Sequence, residues 1–269
     1  MNTVGFLRLI LLSSFLVAAV VPGKIFAGEK SICPNSSGMV WSDTDGNDEE
    51  IFFSSYENNK WSPPFQISDN DSTDYIPVAV TGNDCRTWVF WSRLGERVIS
   101  LHYRVYFKGT WSEVKQLDTG MESNTAVTVL VGSDNKPWLV WAGFDGKDDD
   151  IFWSRWNGLG WSGPERVNVD DEYPDILPAI MFGPDGLPVI QWQGFDGHNY
   201  KKFSSNWTGV AWGPELEGQQ TFSAKKEMQR KVSEFPALPS FLGDQKKASV
   251  YRLDGGSCFS VPLRLFGNR

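Results

Sequence analysis

Apolar residues come in short runs that end on tryptophan, among them Met39-Val-Trp41, Trp88-Val-Phe-Trp91 and Trp138-Leu-Val-Trp141. These tryptophans are periodic: Trp41, Trp91, Trp141 and Trp192 follow one another at 50, 50 and 51 residues. Trp61, Trp111, Trp161 and Trp212 keep the same intervals, as do Tyr56, Tyr106, Trp156 and Trp207. Each run is short and bounded by Gly, Asp and Asn, which predicts strands and turns. In the third copy the pattern predicts strands over 138–142, 150–156, 164–168 and 177–182. The turns between them are Gly143-Phe-Asp-Gly146, Asn157-Gly-Leu-Gly160, residues 170–175 and Gly183-Pro-Asp-Gly186. The runs are apolar on both faces, as in sheets packed between two neighbours. The repeating tryptophans are then core between those sheets.

Four short strands per fifty residues, with no helical period, predict an all-β fold, a β-propeller of stacked blades. A fifth, weaker copy follows, in which Glu234-Phe-Pro-Ala-Leu-Pro-Ser-Phe-Leu-Gly243 parallels Glu172-Tyr-Pro-Asp-Ile-Leu-Pro-Ala-Ile-Met-Phe-Gly183. Tyr251 stands where Trp192 stood, and Leu253-Asp-Gly255 echoes Phe195-Asp-Gly197. Residues 219–232 interrupt this copy, and Ala224-Lys-Lys-Glu-Met-Gln-Arg-Lys231 within them reads as a short exposed helix. The chain enters the pattern at a second strand near Met39 and leaves it at a third strand over 259–265. Five blades are expected, the first and last incomplete or completed by each other. A closed four-bladed ring with an extension is the alternative. An array that stops within a blade would expose a sheet edge through which two copies could dimerise.

The first 27 residues read as a signal peptide, with Arg8 before the apolar run 9–21, which is too short to cross a bilayer. The expected organisation is therefore a signal peptide over 1–27, four clear copies over 28–217, and an insertion with the degenerate copy over 218–269. The mature protein is expected to be secreted or periplasmic, with no membrane association after cleavage. Net charge is −8, and −10 without residues 1–27, which argues against a nucleic-acid partner. Residues 28–217 hold 29 acids and 14 bases, against 4 and 9 in residues 218–269, so an acidic array carries a basic tail. Cys33 and Cys85 lie eight and six residues before Trp41 and Trp91, which makes them the expected disulfide in an oxidising compartment, with Cys258 the spare.

The segments Ser54-Ser-Tyr-Glu-Asn-Asn-Lys-Trp61, Ser154-Arg-Trp-Asn-Gly-Leu-Gly-Trp161 and Ser205-Asn-Trp-Thr-Gly-Val-Ala-Trp212 have the spacing of the Asp-box, Ser-x-Asp-x-Gly-x-Thr-Trp. The chain thus resembles the Asp-box-like, sialidase-type secreted β-propellers, a group that includes lectins. The box's aspartate position holds an aromatic here, and Arg104 replaces the serine of the second copy. The resemblance implies that these serines, glycines and tryptophans are scaffold. It does not bring a sialidase site with it, because the Phe/Tyr-Arg-Ile-Pro segment is missing and the arginines do not recur in register.

In a propeller, the turns between second and third strands and the links into the next blade emerge on one face. That face receives Asp43-Thr-Asp-Gly-Asn-Asp-Glu-Glu50, Phe144-Asp-Gly-Lys-Asp-Asp-Asp150, Phe195-Asp-Gly-His-Asn199 and the acidic links 69–74 and 170–175. Alternate carboxylates around a glycine turn suit a hard cation, which makes Asp43, Asp45 and Asp48 candidate ligands for calcium. Asp and Gly also make a tight solvated turn without any ion. For sugars, Phe144, Tyr173 and Phe195 offer flat apolar surfaces, while Asp145, Asp175, Asp196 and His198 supply polar contacts. The expected function is noncatalytic binding of a glycan or surface glycoprotein through this acidic face. A glycoside hydrolase using a carboxylate pair, or a protein-interaction module, are the alternatives. His102 lies in a predicted strand and no Gly-x-Ser-x-Gly elbow exists, which argues against a nucleophile relay.

Overall fold

In a computed structural model the described residues are 37–218, 247–252 and 259–262, and they contain strands and turns but no helix. The first fifty-residue copy forms β1 (Ser37–Thr44), β2 (Glu49–Glu57), β3 (Lys60–Trp61) and β4 (Phe65–Gln66). The second forms β5 (Asp74–Thr81), β6 (Thr87–Leu94), β7 (Ile99–Phe107), β8 (Thr110–Trp111) and β9 (Lys115–Gln116). The third forms β10 (Ser123–Val131), β11 (Pro137–Phe144), β12 (Asp149–Arg155) and β13 (Glu165–Arg166). The fourth forms β14 (Asp175–Phe182), β15 (Pro188–Phe195), β16 (Tyr200–Asn206) and β17 (Leu216–Glu217), followed by β18 (Lys247–Arg252) and β19 (Phe259–Pro262). Each copy is an antiparallel meander, and the second and third join through one parallel pair, Ser123 with Ile99. The strands expected at 138–142, 150–156, 164–168 and 177–182 fall on β11 to β14.

Five blades were expected, the first and last incomplete or completed by each other, with Tyr251 in the place of Trp192. In the structure β18 pairs antiparallel with β1, from Ser37 with Arg252 to Val40 with Ser249, and β19 pairs with β18. Thus β18 takes beside β1 the place that β5 takes beside β6. The physical reason is the free edge of β1, whose main-chain groups gain hydrogen-bond partners in this way. The described strands therefore make four meanders, the first completed by the C-terminal pair.

The signal peptide 1–27, the copy at 234–243, the helix at 224–231, the Leu253-Asp-Gly255 turn, Cys33 and Cys258 lie outside the described residues. Cys85 is disulfide-bonded, to a cysteine that also lies outside them.

The core lies between successive meanders. Val40, Ile51, Phe53, Ile67, Ala79, Val89 and Trp91 fill the first interface, with Trp111 against them. Phe90, Leu101, Leu139, Trp141 and Phe152 centre the second, where Trp161 packs edge-on against Trp88, Phe90 and Tyr103 at 5.7, 5.6 and 5.8 Å. In the third, Trp212 does the same to Trp138 and Trp153 at 6.1 and 5.8 Å. Trp111, Trp161 and Trp212 thus insert into the preceding sheet, which explains why their period matches that of the strand tryptophans.

The hairpins share one hydrogen bond: Ser54, Ser154 and Ser205 each donate from Oγ to the carbonyl eight residues on, at 2.8, 2.7 and 2.8 Å. In the second copy Arg104 donates to Ser112 O in place of the serine. The first strands β5, β10 and β14 share a bulge, between Tyr75 and Val78, Thr125 and Thr128, and Ile176 and Ala179. Ile76, Ala126 and Leu177 sit in these bulges with φ of 51°, 51° and 53°. The bulge bends the start of each first strand, where Asp74, Asn124 and Asp175 are buried.

Candidate functional site

Three of the four turns between second and third strands are built on Asp-Gly. Asp45, Asp145 and Asp196 accept from the backbone N–H two residues on, at 2.9, 3.0 and 2.9 Å. Gly46, Gly146 and Gly197 follow with φ of 111°, 105° and 87°, values open chiefly to glycine. These aspartates therefore shape their turns before they do anything else.

Two of the turns gather carboxylates. Ligand oxygens of Asp45, Asp48 and Glu50 lie within 4.8 Å of one another, as do those of Asp145, Asp148 and Asp150, and either cluster could hold a metal ion. The clusters occupy equivalent positions, one hundred residues apart. Asp43 belongs to neither, since its Oδ1 accepts from the adjacent Thr44 N–H at 2.9 Å. Glu50 and Asp150 take the third place, one sequence reasoning missed. They stand two residues beyond Asp48 and Asp148, a spacing that puts side chains on one face of a strand.

The clusters differ in what satisfies them. Glu50 is fully buried and accepts from Ser68 Oγ, from Asn70 N at 2.7 Å and from Asn70 Nδ2 at 3.1 Å. Loss of solvent raises its carboxyl above the usual range, against these bonds. In the other cluster Arg166 forks across the turn, Nη2 to Asp145 Oδ2 at 2.6 Å and Nη1 to Asp150 Oδ2 at 3.1 Å. Asp150 Oδ1 accepts from Asn168 Nδ2 at 2.6 Å, and burial still lifts its carboxyl to about 6. Asp148, 8% exposed, has both oxygens buried without a hydrogen-bond partner. Its carboxyl is raised by desolvation.

The expected sugar contacts separate into three environments. Tyr173 and Phe195 meet edge-to-face at 5.9 Å, and Tyr200, an aromatic the sequence reading passed over, tilts against Phe195 at 5.2 Å. Tyr173 is 43% and Tyr200 51% exposed, so the three rings form a patch open to solvent. Gly197 belongs to this patch, because a Cβ there would stand 2.9 Å from Tyr173 Oη. His198 is exposed in the same turn, its N–H bonded to Asp196.

Asp196 itself accepts from the N–H groups of Asn199 and His198 and pairs with Lys201 Nζ at 3.1 Å, which holds its carboxyl down to about 2. Lys201 also reaches Glu217 Oε1 at 3.0 Å.

Asp175 does not reach the surface. It is 6% exposed, and it accepts from Trp192 Nε1 at 2.8 Å and from Asn168 Nδ2 at 2.5 Å. Burial, with Glu215 nearby, lifts its carboxyl to about 7. The expectation placed it in an acidic link, but it is the first residue of β14 and faces the meander. Phe144 and Asp145 lie on the neighbouring turn, where Asp145 is held by Lys147 N and Arg166.

No family model matches the chain, and no curated protein matches it. Solved structures do. One is a Hadza microbial sialidase, 14% identical over 65% of this chain and 46% of that one, with a TM-score of 0.43. Others are an endo-arabinase from Bacteroides thetaiotaomicron, 12% identical over 83% and 88% with a TM-score of 0.47, and a polysaccharide lyase described as an ulvan lyase, 8% identical over 85% and 67% with a TM-score of 0.49. The chain spans 46% of the length of that sialidase.

Proposed function

We propose that this chain is a secreted, noncatalytic β-propeller of the Asp-box-like kind that binds glycans through the ring patch Tyr173–Phe195–Tyr200. The observation that carries this reading is the exposure of two tyrosines on either side of Phe195, with His198 exposed in the same turn. Flat aromatic faces take the apolar faces of sugar rings, and polar groups of the turn take their hydroxyls. Asp175 and Asp145 leave the proposed contact set, while Tyr200 joins it. The disulfide at Cys85 fits an oxidising compartment. The acidic turns brace the same scaffold.

The hydrolase alternative has one observation in its favour, the Asp150 and Asp175 carboxyls raised to about 6 and about 7. Both are sealed, at 0% and 6% exposure, and both are bonded to Asn168. Such a pair joins sheets and does not touch a substrate.

A glycan array probed with the full chain and with the Tyr173→Ala/Tyr200→Ala variant tests the proposal. Glycan binding that falls at least about tenfold in the variant, with an unchanged melting temperature, supports the patch; each lost stacking contact is worth on the order of 1 kcal/mol. Retained binding would move the site elsewhere, and a silent array with the intact chain would turn the reading toward a protein partner.

A further inference from the structure

The geometry points to a binding site for one hard divalent cation, of calcium's kind, formed by Asp145, Asp148 and Asp150, and we propose it as such. The inference stands apart from the glycan reading, since it concerns the turn between β11 and β12. Oxygens of the three carboxylates lie within 4.8 Å of one another. That span suits ligands sharing one calcium ion at about 2.4 Å each. All three donors are carboxylate oxygens, which select hard cations.

The second observation is Asp148. It is 8% exposed, its oxygens gather with those of its two neighbours, and neither oxygen has a hydrogen-bond partner. A buried carboxylate without a partner is costly. A cation between the carboxylates gives Asp148 the charged partner it lacks.

Charge agrees. Arg166 neutralises one of the three carboxylates through its contacts to Asp145 and Asp150. Asp170, which also pairs with Arg166, is matched by Lys147 at 3.5 Å. Two negative charges remain among these groups, and Asp171 adds to them, a field that favours a divalent cation. The equivalent cluster Asp45–Asp48–Glu50 makes a weaker case: Glu50 is satisfied by Ser68 and Asn70, and Asp48, half-buried, has one buried oxygen without a partner where Asp148 has two. Gln66 stands there in the place of Arg166.

The test is calorimetric titration of the full chain, freed of metal by chelation and dialysis, with calcium chloride and with magnesium chloride, alongside thermal melts. Calcium should bind in about the 10⁻⁴–10⁻³ M range of extracellular sites. At about 10 mM it should raise the melting temperature by about 3–8 °C. Asp148→Asn should abolish that event while Asp45→Asn keeps it, and melts in chelator establish that both variants are folded. An intact chain unmoved by calcium, or an Asp148→Asn variant that binds it as the intact chain does, overturns the site. In that case Asp148 is a buried acid without a cation.

Discussion

Asp150 and Asp175, one on the third meander and one on the fourth, accept hydrogen bonds from the same nitrogen, Asn168 Nδ2, at 2.6 and 2.5 Å. Asn168 Oδ1 in turn accepts from Ile151 N at 2.9 Å, so a single buried amide joins the sheets on either side of it. The first and second meanders are joined in the same manner, where Asn70 Nδ2 donates to Glu50 Oε1 and to Asp74 Oδ2, both at 3.1 Å. The acid network that reads as a ligand face in the sequence is, at its inner end, a set of latches between sheets.

Removing Asn168 takes one donor from each of two buried carboxyls, which keep Arg166 and Trp192, and leaves Ile151 N without its acceptor. Asn168→Ala should therefore destabilise the chain by about 3 kcal/mol. Asn70→Ala should cost less, roughly 1–2 kcal/mol, because Ile51 N bonds to Ser68 Oγ and keeps its acceptor, while Ser68 still serves Glu50 and Arg93 still pairs with Asp74 at 2.7 and 2.8 Å. Urea unfolding midpoints at neutral pH check the order, and equal losses would show that the amide does not couple the sheets.

His102 gives a pH dependence with a definite sign. Its ring stacks on Trp91 at 6.2 Å, as Phe52, Phe152 and Phe203 stack on Trp41, Trp141 and Trp192 at 5.9, 6.3 and 6.1 Å. A histidine thus occupies a phenylalanine position, with Nδ1 buried and unpartnered and Nε2 at 3.0 Å from Ser100 Oγ. Burial, then Arg93, lowers its pKa to about 4 against a partial counter-effect from Asp74. The unfolded chain takes up a proton near pH 6.5 that the folded chain refuses until about 4. The contribution to stability is therefore whole above pH 6.5, falls as pH drops toward 4, and levels off below. His102→Phe should be flatter over this window, gaining on the natural chain by at most about 1.4 kcal/mol per pH unit. Unfolding midpoints at pH 7 and pH 4.5 measure the gap, and parallel pH curves would show that His102 titrates normally.

Much of the fold is legible in the sequence because its largest side chains carry it. Trp161 and Trp212 must each reach the preceding sheet, so a tryptophan period of fifty residues follows directly from the packing. The strand boundaries follow as well, since Asp-Gly and Asn-Gly turns bound each run. That the ends complete one another was among the expected alternatives, but the register of β18 on β1 is not legible, because it depends on main-chain hydrogen bonds between residues more than two hundred apart, which leave no side-chain signature. The site is legible in part. Tyr173, Phe195 and His198 stand on one patch and Asp45 and Asp48 in one cluster, but composition cannot show which way a carboxylate faces. Asp175 turns inward and Asp43 stays outside the cluster for that reason. Tyr200 escaped notice because the other copies hold Glu49, Ile99 and Asp149 at its position.

Arg104 separates a recurring feature from a local invention. The other hairpins use a serine whose Oγ reaches the carbonyl eight residues on, and the obvious consensus change, Arg104→Ser, would restore that bond. Yet Arg104 does more than the serine it replaces. Nη1 donates to Ile67 O in the first copy at 2.8 Å, and the guanidinium lies 5.9 Å from the centre of the Trp111 ring. Serine cannot span to the neighbouring copy, so the bond to Ile67 and the ring contact are lost together. Arg104→Ser should therefore lower stability by about 1–2 kcal/mol. Arg104→Lys should fall short as well, because an ammonium cannot fork to two carbonyls as a guanidinium does. A serine variant at least as stable in urea as the natural chain would show that the bond to Ile67 contributes nothing, and that Arg104 only substitutes for the hairpin serine.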